Sequence, residues 1–390
     1  MKIESLTLHR VSLPPRRVHR WTNLTGSIGN YVLVELTSDD GVSGWGEATA
    51  LGSWGGDHGR YFGETLETVS HVLCDLVAPA VKGVEFSDRN EILRVARSCV
   101  RGHVYAATAF EEALLDLVGR RLGVSVSELL GGRVRSRIPL AHSLGLMAEE
   151  AAVEEARAVA DEGIRTIKIK VGEHADREVS LVRAVHEAVG DRVELAVDAN
   201  QGWRTAVEAE RVLRRLADVP LRYVEQPVEG LHQLRMLRPR SPFPLMADES
   251  MWNAHDMADL ARTDAVGLAS VYTAKAGGLR GALAADAVAS AFGIGTNVNG
   301  SGETGVGNLA NLHLAATMTS LSEACVLPLS HRSDDPPTRV AGRMYLDDVL
   351  VSSLRYEDGH IVVPDGPGWG VDVDRDKLAE LSAPTTAVAR

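Results

Sequence analysis

The chain has 390 residues, 45% of them hydrophobic and 24% charged, with a formal net charge of -12. That length allows two or three domains of ~100–200 residues, or one large barrel with an attachment, and the apolar fraction excludes disorder throughout. No Lys/Arg-rich run interrupts the acidic balance, which excludes a basic face for nucleic acid.

The opening MKIESLTLHR alternates apolar and polar residues and reads as a strand, not a signal peptide. Tyr31–Thr37 and Val42–Glu47 flank Asp40-Gly41, a hairpin signal, so a small antiparallel meander is expected. Leu66, Val69, Leu73, Leu76 and Val77 fall on one helical face, as do Ala106, Phe110, Ala113, Leu114, Leu117 and Val118. These helices would cover the meander, giving an α+β domain over 1–130.

From about residue 135, short apolar runs alternate with amphipathic helices. The runs are RIPLAHS, TIKIK, VELAVDA, LRYVEQP, FPLMADE, AVGLASV, GIGTNV and ACVLPLS, with helices near 148–163, 174–189, 204–218 and 229–237 among those between them. Eight βα units predict a parallel sheet closed into a barrel over 131–330, with a doubly wound sheet as competitor. Turns and short strands over 331–390 would return to the first domain, and the terminal SAPTTAVAR is expected to be mobile. No window reaches ~18 uncharged apolar residues, so no membrane helix is expected. Cys74, Cys99 and Cys325 lie far apart, with neither metal spacing nor a disulfide framework, which fits a reducing, cytoplasmic setting.

Polar residues recur at the carboxyl ends of these strands: Lys170, Asp198, Glu225, Asp248 and Tyr272, separated by 28, 27, 23 and 24 residues, about one βα unit each. In a barrel those ends meet at one mouth. Three adjacent carboxylates cannot all ionise without a cation, and all-oxygen ligation suits Mg²⁺ or Mn²⁺. The competing role, helix capping, is better filled by Thr205 and Asn253. Lys168 and Lys170, two apart in a strand, point to the same side. Beside each other and a cation, they are expected to lower each other's pKa and make an amine available as a base near pH 7.

Gly300–Gly305 matches G-x-G-x-x-G, a weak sign of a phosphate or nucleotide site; the glycines also suit a tight turn that projects Glu303 into the mouth. Trp21 and the loop holding Trp54, Asp57 and His58 are lid candidates, with Trp54 as a plain interdomain packing residue the alternative.

Taken together, Lys168-Ile169-Lys170, Val197-Asp198-Ala199-Asn200, Val224-Glu225-Gln226-Pro227, Ala247-Asp248-Glu249-Ser250, Lys275-Ala276-Gly277-Gly278 and Glu303-Thr304-Gly305-Val306-Gly307 resemble the enolase superfamily, in its muconate-lactonising (muconate cycloisomerase) subgroup of the mandelate racemase/muconate lactonizing enzyme family. The resemblance extends to Val363-Pro364-Asp365-Gly366-Pro367-Gly368 and spans nearly the whole chain. It implies an α/β fold: a (β/α)7β TIM-like barrel with an N-terminal α+β capping domain. It implies Mg²⁺ on Asp198, Glu225 and Asp248, abstraction of the proton α to a carboxylate by Lys170, support of the developing charge by Lys168, and a metal-stabilised enediolate. Asn297 and Asn299 end the seventh strand where a mandelate racemase would carry a His. A homo-oligomer is expected by the same analogy.

The subgroup carries Lys-x-x-Lys-x-Gly-Gly after the sixth strand; here Tyr272 holds the first lysine's place, unless a register slip turns Lys275 inward. Tyr, with a reference pKa of ~10, is a poor base. That favours one-base chemistry on a small carboxylate, cycloisomerisation or syn dehydration, over the alternative, racemisation or epimerisation of an amino acid or its derivative. A phosphate- or nucleotide-binding barrel without proton chemistry is the alternative of another class. Asn200, Lys275, Asn297, Glu303, Trp54 and Asp57 are candidate substrate contacts.

Overall fold

A computed structural model describes residues 2–24, 27–85, 89–336, 339–382 and 387–388. The N-terminal region is a meander of β1 (Ile3–Ser12), β2 (Asn30–Ser38) and β3 (Ser43–Ala48), paired antiparallel through the expected Asp40-Gly41 turn. Helix α1 (Leu66–His71) continues through a π-helical stretch, Val72–Val77, and is followed by α2 (Arg89–Ser98) and α3 (Val104–Leu122). The six apolar residues predicted to share a face of α3 are all buried. Gly44 and Gly46 let α3 lie directly on β3: a Cβ at 46 would sit 2.1 Å from the Ala109 carbonyl oxygen.

The second unit alternates strands and helices as expected. Its strands are β4 (Ala141–Leu144), β5 (Thr166–Lys170), β6 (Glu194–Asp198), β7 (Leu221–Glu225), β8 (Leu245–Ala247), β9 (Leu268–Val271) and β10 (Gly295–Val298), hydrogen-bonded in chain order. The pairings between them are parallel. Thr205 and Asn253 cap the helices after β6 and β8, as predicted, leaving the strand-end acids free of that task.

One expectation needs correction. ACVLPLS is not a continuous eighth strand: Leu321 and Val326 bridge to Thr296 and Asn299 beside β10, while Cys325 bridges to Leu140 beside β4. These isolated bridges still link the two edges of the sheet, so the barrel closes. The chain after 331 runs back to the meander. Trp369 Nε1 donates to the Trp45 carbonyl at 2.7 Å, and Arg375 pairs with Glu35. Of the tail expected to be mobile, Ala387–Val388 pairs with β1, and 383–386 and 389–390 lie outside the described residues.

Glu47 of β3 joins the two units. Its carboxylate accepts from Thr304 N, Thr304 Oγ1 and Gly307 N at the start of the helix Gly305–Thr317 (α4 here). Burial pushes Glu47 up to about 7 despite those donors, and pushes Glu303, next to it, to about 8. Between pH ~4.5 and ~7 the folded chain therefore holds protons that the unfolded chain has released. Stability should fall as pH rises through that window, by about 1.4 kcal/mol per pH unit for each such group. Calorimetric Tm values are expected to decline from pH 5 to 8, and Glu47→Gln to flatten the decline.

Candidate active site

The register puts the chemistry on one level. Lys170 pairs with Asp198, and Asp198 with Glu225, across β5, β6 and β7; Asp248 follows the end of β8. All three acids and both lysines are buried. Lys170 Nζ donates to Asp198 Oδ2 at 2.6 Å, and Lys168 Nζ reaches the same oxygen at 3.2 Å and Glu225 Oε1 at 2.9 Å. The alternation of side chains in a strand accounts for this: 168 and 170 face the barrel interior, while Ile167 and Ile169 pack in the apolar core.

The electrostatics differ from expectation at Lys168. Burial pushes its ammonium down, but Glu225 and Asp198 outweigh burial and hold the pKa well above the ordinary lysine value. The lysine pair does not lower it, because carboxylates lie closer than the second ammonium's effect can offset. Asp198 is raised by burial yet held well below the usual carboxylate range by Lys170 and Lys168. Glu225 is pushed up to about 8, by burial first and then by Asp198 and Asp248.

Among the described residues no three His, Cys, Asp or Glu side chains form a ready-made metal cage, because the carboxylates are turned toward ammonium groups. The donor set nonetheless fits a hard divalent cation. The three acids feel one another's charge at Glu225, and Glu225 Oε2 is a buried oxygen without a partner. Carboxylate oxygens are what Mg²⁺ and Mn²⁺ take.

A cleft with about 40 Å³ of free space, room for little more than one water, opens over this cluster. Lys168, Lys170, Asn200, Glu225, Asp248, Tyr272, Trp21 and Trp54 line it. The aromatic residues close it. Trp54 stacks on Tyr272 at 5.9 Å and on Trp252 at 5.1 Å, while Lys170 Nζ lies 5.5 Å from the Trp21 ring. Tyr272 thus occupies the wall four strands from Lys170, and burial and Asp248 hold its hydroxyl well above the usual tyrosine value.

Four candidate substrate contacts lie elsewhere. Asp57 is buried between loops, its Oδ1 accepting from Gln201 Nε2 and Gly230 N. Asn297 sits one layer deeper than the mouth and donates to Asn299 Oδ1; Asn299 lines the cleft instead. Glu303 turns back under its own loop to accept from Ser301 N, leaving Gly300, Ser301 and Gly302 at the cleft. Lys275 lies behind the wall, its ammonium donating to Asp248 Oδ1, the Asp248 carbonyl and the Ser270 carbonyl, 4.3 Å from the Tyr272 ring centre. With three acceptors for three protons, Lys275 is an internal counterion. Lys275→Met strands the Asp248 carboxylate and should cost about 3–5 kcal/mol in chemical denaturation.

The phosphate alternative is overturned by the same loop. The amides of Thr304, Gly305 and Gly307, which a phosphate would need, donate to Glu47 and Asp348. Residues the sequence did not single out also line the cleft: His19, Ser143 and Met344. Burial, Arg17 and Lys170 keep His19 well below its usual pKa, hence neutral. No periodic signal marks it, since it lies on an irregular loop.

The family model of the mandelate racemase/muconate lactonizing enzyme N-terminal domain matches residues 6–131, and that of the enolase C-terminal domain-like family matches 151–377. The chain belongs to this family of the enolase superfamily. Muconate cycloisomerase 1-2 of Acinetobacter lwoffii is 32% identical over 394 residues, covering 99% of this chain and 96% of the relative. An N-succinyl-L-Arg/Lys racemase of Bacillus cereus is 27% identical over 98% of both. Among solved structures, a muconate lactonizing enzyme from Pseudomonas fluorescens complexed with muconolactone superposes with a TM-score of 0.87 at 32% identity, covering 98% of this chain and 99% of that one. This member of the family is an isomerase-type enzyme with a small-molecule substrate, and its kinship implies a divalent metal. No helix among the described residues is long and apolar enough to cross a membrane.

Proposed function

We propose that the enzyme removes the proton α to the carboxylate of a small acid, with Mg²⁺ as cofactor and one base, and completes a cycloisomerisation or syn elimination. The observation that carries this reading is the asymmetry of the cleft: a lysine amine, Lys170, on one wall and a buried tyrosine, Tyr272, on the other.

A divalent cation held by Asp198, Glu225 and Asp248 would supply positive charge beside the substrate carboxylate, where negative charge grows as the carbon acid ionises. The chain's own groups do the rest. Lys170 Nζ takes the α proton. Lys168, an ammonium held by Glu225 and Asp198, faces the developing negative charge and stays protonated through the reaction. Trp21 and Trp54 exclude water from the cleft. In syn elimination the proton taken by Lys170 is returned on the same face to the leaving oxygen; in ring closure a carboxylate oxygen of the substrate adds to its own C=C bond and the protonated Lys170 delivers its proton to the α carbon, the reverse of the abstraction. Tyr272, kept neutral, donates a hydrogen bond and does not abstract a proton.

A second reading, racemisation of an amino acid derivative, is favoured by the Bacillus cereus racemase, whose structure superposes with a TM-score of 0.88 at 26% identity over 100% of both chains. It needs a base at Tyr272, whose pKa lies on the wrong side for that role. Screening a carboxylate library, muconolactone included, for deuterium uptake from D₂O with Mg²⁺ separates the two. One-base chemistry labels a single enantiomer, and racemisation labels both. Tyr272→Phe is expected to keep exchange within about threefold and to slow net turnover by ~10- to 100-fold, whereas a second base at 272 would lose one enantiomer's exchange entirely.

A further inference from the structure

We infer that Glu249 and Asn200 are positioning residues for the Lys170 amine, linked in the chain Lys170–Asn200–Glu249. The inference rests on the proton-abstraction reading and adds to it a residue that touches neither of the lysines.

Lys170 Nζ donates to Asn200 Oδ1 at 2.8 Å, and Asn200 Nδ2 donates to Glu249 Oε1 at 3.0 Å. Both side chains are buried, with Asn200 4% and Glu249 2% exposed. An asparagine amide has two orientations. In the one present, oxygen faces an N–H of Lys170 Nζ and nitrogen faces the carboxyl oxygen. The reverse would set NH₂ against that N–H and leave the Glu249 oxygen facing another oxygen. Glu249 therefore selects the orientation that holds Lys170.

The selector is itself fixed. Gln226 Oε1 accepts from the amides on both sides of Glu249, Asp248 N at 2.7 Å and Ser250 N at 3.1 Å, and Trp252 Nε1 donates to the Glu249 carbonyl at 3.0 Å. Asn200 is held at its own amide by Asp198 Oδ1 at 3.0 Å and adopts φ +42, a left-handed conformation that asparagine accepts more readily than most residues. Strands β5, β6 and β8 are thereby tied into one relay, ending on Glu249 Oε2, a buried oxygen with no partner. Asn200 is a cleft-lining residue whose polar atoms are already engaged, which makes substrate contact through them secondary.

Displacing a reacting group by about 1 Å can cost on the order of 100-fold in rate. Glu249→Met should lower kcat for α-proton exchange by 10- to 100-fold with KM and calorimetric Mg²⁺ affinity within twofold of wild type. Glu249→Gln, which keeps an acceptor for Asn200 Nδ2, should retain at least a third of the rate. Crystals of Glu249→Met should show the Asn200 amide turned and its contact with Lys170 lost. Glu249→Ser replaces the Met variant where the latter does not fold. Equal loss in the Gln and Met variants, a loss confined to Mg²⁺ affinity, or an intact Asn200–Lys170 contact in the Met crystal overturns the inference. Failure of the wild type to exchange any acid in the library overturns the functional reading instead, and the crystal comparison alone then decides the positioning role.

Discussion

Lys170→Ala is expected to abolish α-proton exchange, lowering it by about 10³-fold or more, while the chain stays folded. The magnitude follows from the proposed role: a general base is worth 10²–10⁴-fold, and among the described residues no other lysine amine lining the cleft is free to substitute. Lys168 is committed to Glu225 and Asp198, and Lys275 to Asp248 and two carbonyls. The fold should persist because the substitution removes one cation from a cluster in which Asp198 still has Lys168 at 3.2 Å and the amide of Asn200. The measurement is deuterium uptake by the best substrate of the wild type, alongside thermal unfolding. Exchange retained within tenfold would show that Lys170 is not the base. Lys168→Ala provides the contrast: it removes the ammonium proposed to face the developing charge, so turnover should drop with the proposed base still present.

The main features of this arrangement were readable before any coordinates. Lys168, Lys170, Asp198 and Glu225 obey two strong rules, the two-residue alternation of a strand and the recurrence of a βα unit. A residue at a strand's carboxyl end has one place to go in a barrel. Tyr272 was equally legible as the first residue beyond β9. The misplaced residues lie where those rules lapse. Lys275 sits in a helical turn, Thr273–Ala276, so a residue three positions past Tyr272 returns beneath its ring. Asn297 and Asn299 both point inward by alternation, but alternation does not say which layer reaches the cleft. Asp57 and Glu303 are loop carboxylates whose nearest unpaired amides, Gly230 and Ser301, decide their direction. The lysine electrostatics failed for a different reason. Two ammonium groups in sequence suggest repulsion, but at Lys168 the neighbouring carboxylates of Glu225 and Asp198 outweigh burial, and that balance depends on distances that no spacing encodes. Glu249 stood in plain view within Ala247-Asp248-Glu249-Ser250; its role depends on where Asn200 places its amide.

Asp198→Asn should be as damaging as loss of the base, for two separable reasons. Asp198 Oδ2 is the acceptor shared by Lys168 and Lys170, and an amide there offers those ammonium groups one neutral oxygen and a nitrogen they cannot use. In the proposed function Asp198 would also be one of three oxygen donors for the cation, so the variant should bind Mg²⁺ far more weakly. Chelation of the wild type isolates the second effect. With EDTA, exchange should fall to background and return on adding Mg²⁺ or Mn²⁺, with Ca²⁺ a poorer substitute because it prefers more ligands at longer distances. If saturating Mg²⁺ restores Asp198→Asn to within tenfold of wild type, the residue matters only as a ligand. If it does not, the loss belongs to the lysines, and the restraint that Asp198 places on both amines is part of the catalytic arrangement. EDTA-treated enzyme that exchanges at the full rate would remove the cation from the mechanism altogether, and the buried row of acids would then serve only to hold two lysines in place.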